Sequence, residues 1–128
     1  MIVDSSALVA VTFAEPGHQE LIAKLAGAPS AGIGTPTLAE TGLVLASRLG
    51  RDSRDLVIRL LAEFGIDEIP FGDQHWREAI DAYLRFGRGR HKARLNFGDC
   101  LTYAVARLAD EPLLFVGDDF PETDLKLA

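Results

Sequence analysis

Two kinds of apolar pattern alternate along the chain. Short apolar runs at residues 1–3, 31–34, 66–70 and 113–116 predict buried strands. Between them, apolar residues recur every three or four positions, which predicts helices at residues 6–13, 18–26, 36–49, 53–64, 74–84 and about 96–109. Strands separated by helices pair in parallel through right-handed crossovers. The predicted fold class is therefore α/β with a central parallel sheet. Because helix 53–64 directly follows another helix, we expect an inserted helical hairpin.

Composition narrows the class of protein. The chain has 128 residues and is 48% hydrophobic, which predicts a single globular domain spanning residues 1–128. Nineteen acidic residues against thirteen Lys and Arg give a net charge of −6. An acidic protein needs metal ions or a local basic patch to bind nucleic acid. Cys100 is the only cysteine, which excludes an intrachain disulfide, and we expect it to be a small buried hydrophobe.

The amino terminus does not resemble a signal peptide. Asp4 interrupts its apolar stretch, and no basic residue precedes that stretch. No segment approaches a membrane-spanning length. We therefore expect a cytoplasmic protein with no membrane contact.

Acidic residues stand at four strand-to-helix junctions of the predicted fold. They are Asp4, Glu40, Asp99, and either Asp118 or Asp119. In open α/β sheets, ligands bind at the carboxyl ends of the strands. Because a parallel sheet gathers these junctions on one edge, we expect the acids to converge.

Each acid also has a helix-capping interpretation. Asp4 precedes a helix, where aspartate is a favoured N-cap. The other acids lie at capping-box spacing, in the pairs Thr37 and Glu40, Asn96 and Asp99, and Asp119 and Glu122. Taken singly, each acid fits capping at least as well as chemistry. Taken together, converging carboxylates raise one another's pKa unless a cation is present. Oxygen ligands without cysteine or a histidine pair indicate Mg²⁺ or Mn²⁺.

A basic segment precedes Asp99. Residues 85–94 carry five of the thirteen basic residues, namely Arg85, Arg88, Arg90, Lys92 and Arg94. His91 adds a further possible donor, and Phe86 is a candidate for stacking on a base. Guanidinium groups beside glycine allow close approach to a polyanion, so we predict a phosphate-binding loop. The alternative is a solvated loop that offsets an acidic protein. Of the two hydroxyls after Asp4, we expect Ser6 to face the site and to cap a helix or position a water.

In order and spacing, these segments resemble a PIN-domain ribonuclease, specifically the toxin of a VapBC-type toxin–antitoxin pair. The matching segments are IVDSSAL at 2–8, TLAET at 37–41, GRGRH at 87–91, LNFGDC at 95–100 and LLFVGDDF at 113–120. The first segment alone is a weak signal, whereas the ordered set is specific and spans essentially the whole chain. The resemblance implies a three-layer α/β/α fold and Mg²⁺- or Mn²⁺-dependent endonucleolytic cleavage of RNA.

The resemblance also implies site residues. The family's acids correspond to Asp4, Glu40 and Asp99, with Asp4 and Asp99 holding the metal. Its fourth acid usually stands three residues before the aromatic that corresponds to Phe120. That position is Gly117 here, so the role moves to Asp118 or Asp119. Asp118 is preferred because Asp119 has the capping alternative with Glu122.

The resemblance further implies how the chain meets its partners. RNA would be held by the loop residues Arg88, Arg90, His91, Lys92 and Arg94. A VapB-type antitoxin would neutralise the toxin by filling its groove, and dimers are usual in this family.

Three other classes of protein remain as alternatives. A phosphoacceptor signalling domain has a similar length, but it needs a paired acid after the first strand and a lysine after the last, and both are missing here. A catalytically silent PIN domain that only binds RNA or protein is disfavoured by the intact Asp4, Glu40 and Asp99. A house-keeping RNA-processing PIN nuclease is the closest alternative, and an adjacent antitoxin reading frame would separate it from a toxin.

Overall fold

A computed structural model describes all residues, 1–128. Its elements in chain order are β1 (Ile2–Val3), α1 (Ser5–Thr12), α2 (His18–Gly27), β2 (Ala31–Gly34), α3 (Thr35–Leu49), α4 (Arg54–Phe64), β3 (Ile66–Ile69), α5 (Asp73–Phe86), α6 (Phe97–Ala109) and β4 (Leu113–Leu114), followed by a 3₁₀ turn (Phe120–Glu122). Every predicted strand and helix is present. None of the helices is both long and apolar enough to span a membrane.

The four strands form one parallel sheet in the order β3-β2-β1-β4. β1 lies between β2 and β4, with Ile2 paired to Gly32 and to Leu113. The last strand is shorter than the predicted 113–116 and ends at Leu114. Beyond Leu114 the chain leaves the sheet, and the backbone N–H of Val116 donates to Ser6 Oγ at 2.9 Å. The end of β4 is thereby tied to the start of α1.

Two apolar cores lie on opposite faces of the sheet. Ile2 and Leu113 belong to one core with residues of α5 and α6, whereas Val3 and Leu114 belong to the other with residues of α1 and α2. Successive strand residues point to opposite faces, so each strand contributes to both cores. The predicted three-layer α/β/α arrangement is confirmed.

The predicted helical hairpin is formed by α3 and α4. Gly50 ends α3 in a left-handed conformation (φ 67°), which only glycine adopts without strain. Ser53 then precedes α4, and its hydroxyl donates to the carbonyl of Gly42 at 2.6 Å. At its other end α3 begins at Thr35 with Gly34 as the N-cap, one residue earlier than predicted.

Candidate active site at the carboxyl edge of the sheet

Asp4 lies directly after β1 and is only 5% exposed. Its Oδ2 accepts from the Ser6 backbone N–H at 3.1 Å and from Ser6 Oγ at 2.6 Å. Its Oδ1 accepts from Thr102 Oγ1 at 2.7 Å. Asp4 therefore caps α1, as one interpretation of the sequence predicted, and it also lies at the carboxyl edge of the sheet. Three donors fix the carboxylate in one orientation and leave Oδ1 free to accept once more.

Two buried threonines support Asp4 from behind. Thr37 Oγ1 lies 3.1 Å from Thr102 Oγ1. Because Thr102 gives its single hydroxyl hydrogen to Asp4, Thr37 must be the donor to Thr102. The chain of donors therefore runs from α3 through α6 to the carboxylate. The sequence motifs did not single out Thr102, although its position three residues after Asp99 places both residues on neighbouring parts of the α6 surface.

Glu40 does not form the predicted capping box with Thr37. Since α3 begins at Thr35, Thr37 lies inside the first turn and its hydroxyl points to α6 instead. Glu40 Oε1 accepts from Ser5 Oγ at 2.9 Å. A Cβ on Gly98 would lie 2.5 Å from Glu40 Oε2, so a larger residue at position 98 would displace the Glu40 carboxylate from its present position. Ser5 and Gly98 therefore lie beside Glu40, a contact that the sequence pattern did not indicate.

Asp99 is the third residue of α6 and forms the predicted capping box with Asn96. Its Oδ2 accepts from the Asn96 backbone N–H at 3.1 Å, and Asn96 Oδ1 accepts from the Asp99 backbone N–H at 2.9 Å. Burial raises the pKa of Asp99 to about 6, and the negative charges of Asp4, Asp119 and Glu40 add to this increase against the opposing Asn96 hydrogen bond. These acids are therefore close enough to repel one another.

For the fourth acid, the structure favours Asp119 over Asp118, which was preferred from the sequence. Asp119 precedes the 3₁₀ turn, but its side chain makes no capping hydrogen bond. The expected pairing with Glu122, which was the reason to prefer Asp118, is therefore absent. The negative charge of Asp119, but not that of Asp118, contributes to the raised pKa of Asp99, which favours Asp119 as the fourth acid.

The oxygen atoms at this edge suit a hard divalent cation that keeps most of its waters. No three or more His, Cys, Asp or Glu side chains are arranged as a ready cage for one ion. Mg²⁺ commonly takes only one or two carboxylates, with waters and phosphates as its other ligands. Asp99 Oδ1 accepts no hydrogen bond from the protein, because only Oδ2 is engaged by Asn96. The donor set therefore fits Mg²⁺ or Mn²⁺ bound between Asp4 and Asp99.

Two of the residues predicted in the basic segment lie outside the loop. α5 continues to Phe86, so Arg85 is helical and pairs with Asp124 at 2.9 Å and with Asp81 at 3.4 Å. Phe86 is 8% exposed and packs against Tyr103. The prediction that Phe86 stacks on a base is therefore wrong. We use "basic loop" below for residues 87–95, whose ends are joined by hydrogen bonds between Arg88 and Leu95 and between Leu95 and Phe86, both 3.0 Å long.

Within the basic loop, the cationic side chains differ in how they are engaged. Arg88 and Arg94 form no ion pair, and Arg90 lies over the Tyr83 ring at 5.2 Å. Lys92 pairs with Glu122 at 3.0 Å, which links the loop to the turn after Asp119.

His91 is used to shape the loop. Its Nδ1 accepts from the Ala93 backbone N–H at 3.0 Å, and its ring meets Phe86 edge-on. Only Nε2 is left to donate to a ligand. The basic loop is therefore an exposed cationic rim and is not a preformed pocket.

Cys100 is buried, as predicted. Burial raises the pKa of its thiol to about 11, with a further contribution from the charge of Asp99. A protonated, buried thiol is a poor nucleophile. The chemistry of this edge therefore depends on carboxylates.

Comparison with known proteins places this arrangement in a family. The model of the PIN domain matches residues 1–126. Ribonuclease VapC36 of Mycobacterium tuberculosis is 49% identical over 127 residues, covering 98% of this chain and 91% of the relative. Ribonuclease VapC of Mycolicibacterium smegmatis is 36% identical, covering 98% and 97%. The chain therefore belongs to the PIN-domain family, among its VapC ribonucleases.

Solved structures with low sequence identity share the fold. M. tuberculosis VapC20, described as a Sarcin-Ricin loop cleaving toxin, superposes with a TM-score of 0.78 at 18% identity, covering 99% of this chain and 97% of the other. A toxin–antitoxin complex from Klebsiella pneumoniae gives a TM-score of 0.72 at 16% identity, covering 99% and 95%. The three-layer architecture is therefore common to proteins whose sequences have diverged widely.

Proposed function

We propose that this protein is the endoribonuclease toxin of a toxin–antitoxin pair. The observation that carries the proposal is the convergence of Asp4, Glu40, Asp99 and Asp119 at the carboxyl edge of the sheet, where burial and, to a smaller extent, the charges of the other three acids raise the pKa of Asp99. The matched relatives, which are named VapC ribonucleases, supply the reaction class. The alternative of a silent binding module would not require a buried carboxylate held by three donors.

We further propose that the reaction depends on Mg²⁺ or Mn²⁺. Asp4 and Asp99 would hold the ion, and Glu40 with Asp119, in place of Asp118, would complete its surroundings through waters. A bound divalent cation lowers the pKa of water and neutralises phosphate charge. Ser6 and Thr102 keep Asp4 oriented, and Ser5 keeps Glu40 oriented. Ser6 gives its only hydroxyl hydrogen to Asp4, so toward a positioned water it acts only as an acceptor.

RNA would bind along the basic loop. Arg88 and Arg94 are free of ion pairs and are proposed to neutralise backbone phosphates, together with Arg90 and the Nε2 of His91. Lys92 would first have to leave Glu122, so its contribution should be the smallest of the five. Phosphate contacts of this kind position a strand without reading its sequence.

Protein partners are part of the same proposal. A VapB-type antitoxin would cover the acids, in keeping with the toxin–antitoxin complex that shares this fold. Homodimerisation is proposed from the family resemblance alone.

The test is cleavage of total RNA by the purified protein with Mg²⁺, Mn²⁺ or EDTA. We expect fragments with either metal and none with EDTA or in Asp4→Asn. Asp67→Asn, which removes an exposed acid from β3, is the matched control and should cleave normally. Metal-independent cleavage would contradict the metal proposal. Equal cleavage by Asp4→Asn would show that the nuclease activity does not belong to this site.

A further inference from the structure

Phe97 is the most exposed large apolar side chain of the protein, with 80% of its surface open to solvent. It is the first residue of α6, two positions before Asp99. Single exposed hydrophobes are common and by themselves indicate nothing. Phe97 differs from the others in its surroundings, because it lies between the acids and the basic loop.

On one side, Phe97 forms a wall of a cavity that reaches Glu40, one of the acids of the candidate site. This cavity, of about 430 Å³, lies between α3 and the start of α6 and is lined by Pro36, Glu40, Val44, Phe97, Gly98 and Leu101. Its volume is within the range of roughly 300–1,000 Å³ that is usual for sites that bind small ligands. The walls are mainly apolar, and the Glu40 carboxylate belongs to the candidate active site. A flat, uncharged group placed there would lie beside the acids.

On the other side, Phe97 borders a mainly apolar groove that also contains a cationic side chain. Phe97 and Arg88 line the same groove between α5 and α6. Arg88 forms no ion pair in the protein, so its guanidinium is free to meet a phosphate. The order along this surface is therefore acid cluster, apolar cavity, exposed ring and free guanidinium. That order matches a single strand whose bases and phosphates alternate along its length.

We propose that Phe97 is a stacking platform for an unpaired nucleobase of the RNA, next to the phosphodiester held at the acids. The inference rests on the proposed function and assigns it a positioning residue. Every nucleobase has a π-face, so stacking of this kind holds a strand in place with little dependence on its sequence. Arg88 binds the phosphate that follows the stacked base. Phe97 thereby takes the role that the sequence analysis gave to the buried Phe86.

A comparison of two strands isolates stacking from phosphate binding. The inactive background is Asp4→Asn, and the probes are fluorescent oligoadenosine of about 12 nucleotides, a typical site size, and an abasic ribose-phosphate strand of the same length. Phe97→Ala should weaken oligoadenosine binding about 5- to 150-fold and change abasic-strand binding less than about twofold. Phe97→Trp should retain both affinities, whereas Arg88→Ala should weaken both. In the active protein, Phe97→Ala should raise KM for a cleaved RNA with little change in kcat.

Two controls keep the result specific to stacking. Ile58→Ala truncates another exposed apolar side chain, on α4, and should change neither affinity. Melting curves should show that Phe97→Ala remains folded, because an exposed ring contributes little to the core.

Three outcomes would overturn the inference. The first is equal weakening of both strands by Phe97→Ala, and the second is no weakening of either. The third is a change in sedimentation from dimer to monomer with RNA affinity unchanged, which would assign Phe97 to a protein interface. All three leave cleavage by the unsubstituted protein intact, whereas failure of the proposed function appears as no cleavage at all.

Discussion

The acid cluster and the basic loop are held in place very differently. Asp4 is buried and receives three hydrogen bonds, and Glu40 and Asp99 each receive at least one. The basic loop has exposed cations, of which only Lys92 forms an ion pair, with Glu122. The carboxylates are therefore fixed before any ligand arrives, whereas the arginines can adjust to the strand they meet.

This difference is what a reaction on a long polymer requires. Atoms that act on one phosphorus must be placed within a fraction of an ångström, and supporting hydrogen bonds provide that placement. Contacts to the rest of the strand need to tolerate different sequences, and flexible cations do so. Substitutions in the acid cluster should therefore lower mainly the rate of RNA cleavage, whereas substitutions in the basic loop should lower mainly the affinity for RNA.

The largest effect is expected at Asp99. Asp99→Asn should lower the cleavage rate by about a thousandfold, because metal stabilisation of the transition state provides several kcal/mol and each 1.4 kcal/mol is tenfold. The same variant should lose the rise in melting temperature that Mg²⁺ gives to the unsubstituted protein. Calorimetric melting with and without Mg²⁺ measures the second effect. An undiminished response would exclude Asp99 as a ligand.

Thr102→Val tests whether the fixed orientation of Asp4 matters. The substitution keeps the side-chain shape but removes the donor to Asp4 Oδ1 and leaves Thr37 without its acceptor. Loss of such a supporting donor typically costs about 10- to 100-fold in metal affinity or activity. Titration with Mn²⁺ alongside cleavage assays gives both quantities. Thr12→Val removes a helix hydroxyl away from the site and should leave both unchanged.

Substitutions of the two aspartates after β4 should have different effects, because only the charge of Asp119 raises the pKa of Asp99. Asp119→Asn should slow cleavage about tenfold, at the lower end of the range for groups supporting a metal site. It should also lower the pKa of Asp99, since one repelling charge is gone. Asp118→Asn should change neither. The opposite pattern would restore Asp118, the residue that the sequence favoured.

Substitutions in the basic loop should weaken RNA binding. In the Asp4→Asn background, replacing Arg88, Arg90 and Arg94 together by Ala should flatten the dependence of log K on log salt by about 2, at 0.7 per phosphate on a single strand. Lys92→Ala should change the slope less, because this side chain is paired with Glu122. Anisotropy titrations over a range of NaCl concentrations measure the slope. A slope unchanged by the triple variant would return the loop to a merely solubilising role.

The sequence predicts the position of a site residue where the order of strands and helices alone determines it. It does not predict whether a given side chain is buried or exposed when that depends on the exact ends of a helix. Parallel strands end on one edge, so the convergence of Asp4, Glu40 and Asp99 could be predicted from the order of strands and helices. Phe86 and Phe97 have the same side chain, yet one is buried and the other is 80% exposed. That difference depends on where the two helices end and begin: α5 extends two residues beyond its predicted end, to Phe86, and α6 begins at Phe97. Helix boundaries of this kind are set by packing.

The hydrogen bonds of Thr37 and Thr102 that support Asp4 could not be predicted from the sequence for a related reason. Thr37 fitted a capping box with Glu40 by spacing alone. The actual start of α3 at Thr35 moves Thr37 into the helix and directs its hydroxyl to Thr102, which is 65 residues away along the chain. Partners so distant in sequence cannot be paired from local spacing.

The smallest effect concerns pH, and it tests whether burial and the neighbouring acids disfavour the ionised form of Asp99 in the absence of a cation. The pKa of Asp99 is about 6 in the folded protein against an ordinary value of 3.8. Between about pH 4 and pH 6, the folded state therefore keeps a proton that the unfolded state has released, so stability falls as pH rises and stays lower above pH 6. In EDTA, the melting temperature relative to Asp99→Asn should drop by only about 3 °C across this window, because the group is partly solvated. Mg²⁺ should restore the loss at pH 7.5 and have little effect at pH 5, where Asp99 is largely protonated. Identical pH profiles for the two proteins would mean that neither burial nor the charges of Asp4, Asp119 and Glu40 raise the pKa of Asp99, and the acid cluster would then be more open to solvent than the structure indicates.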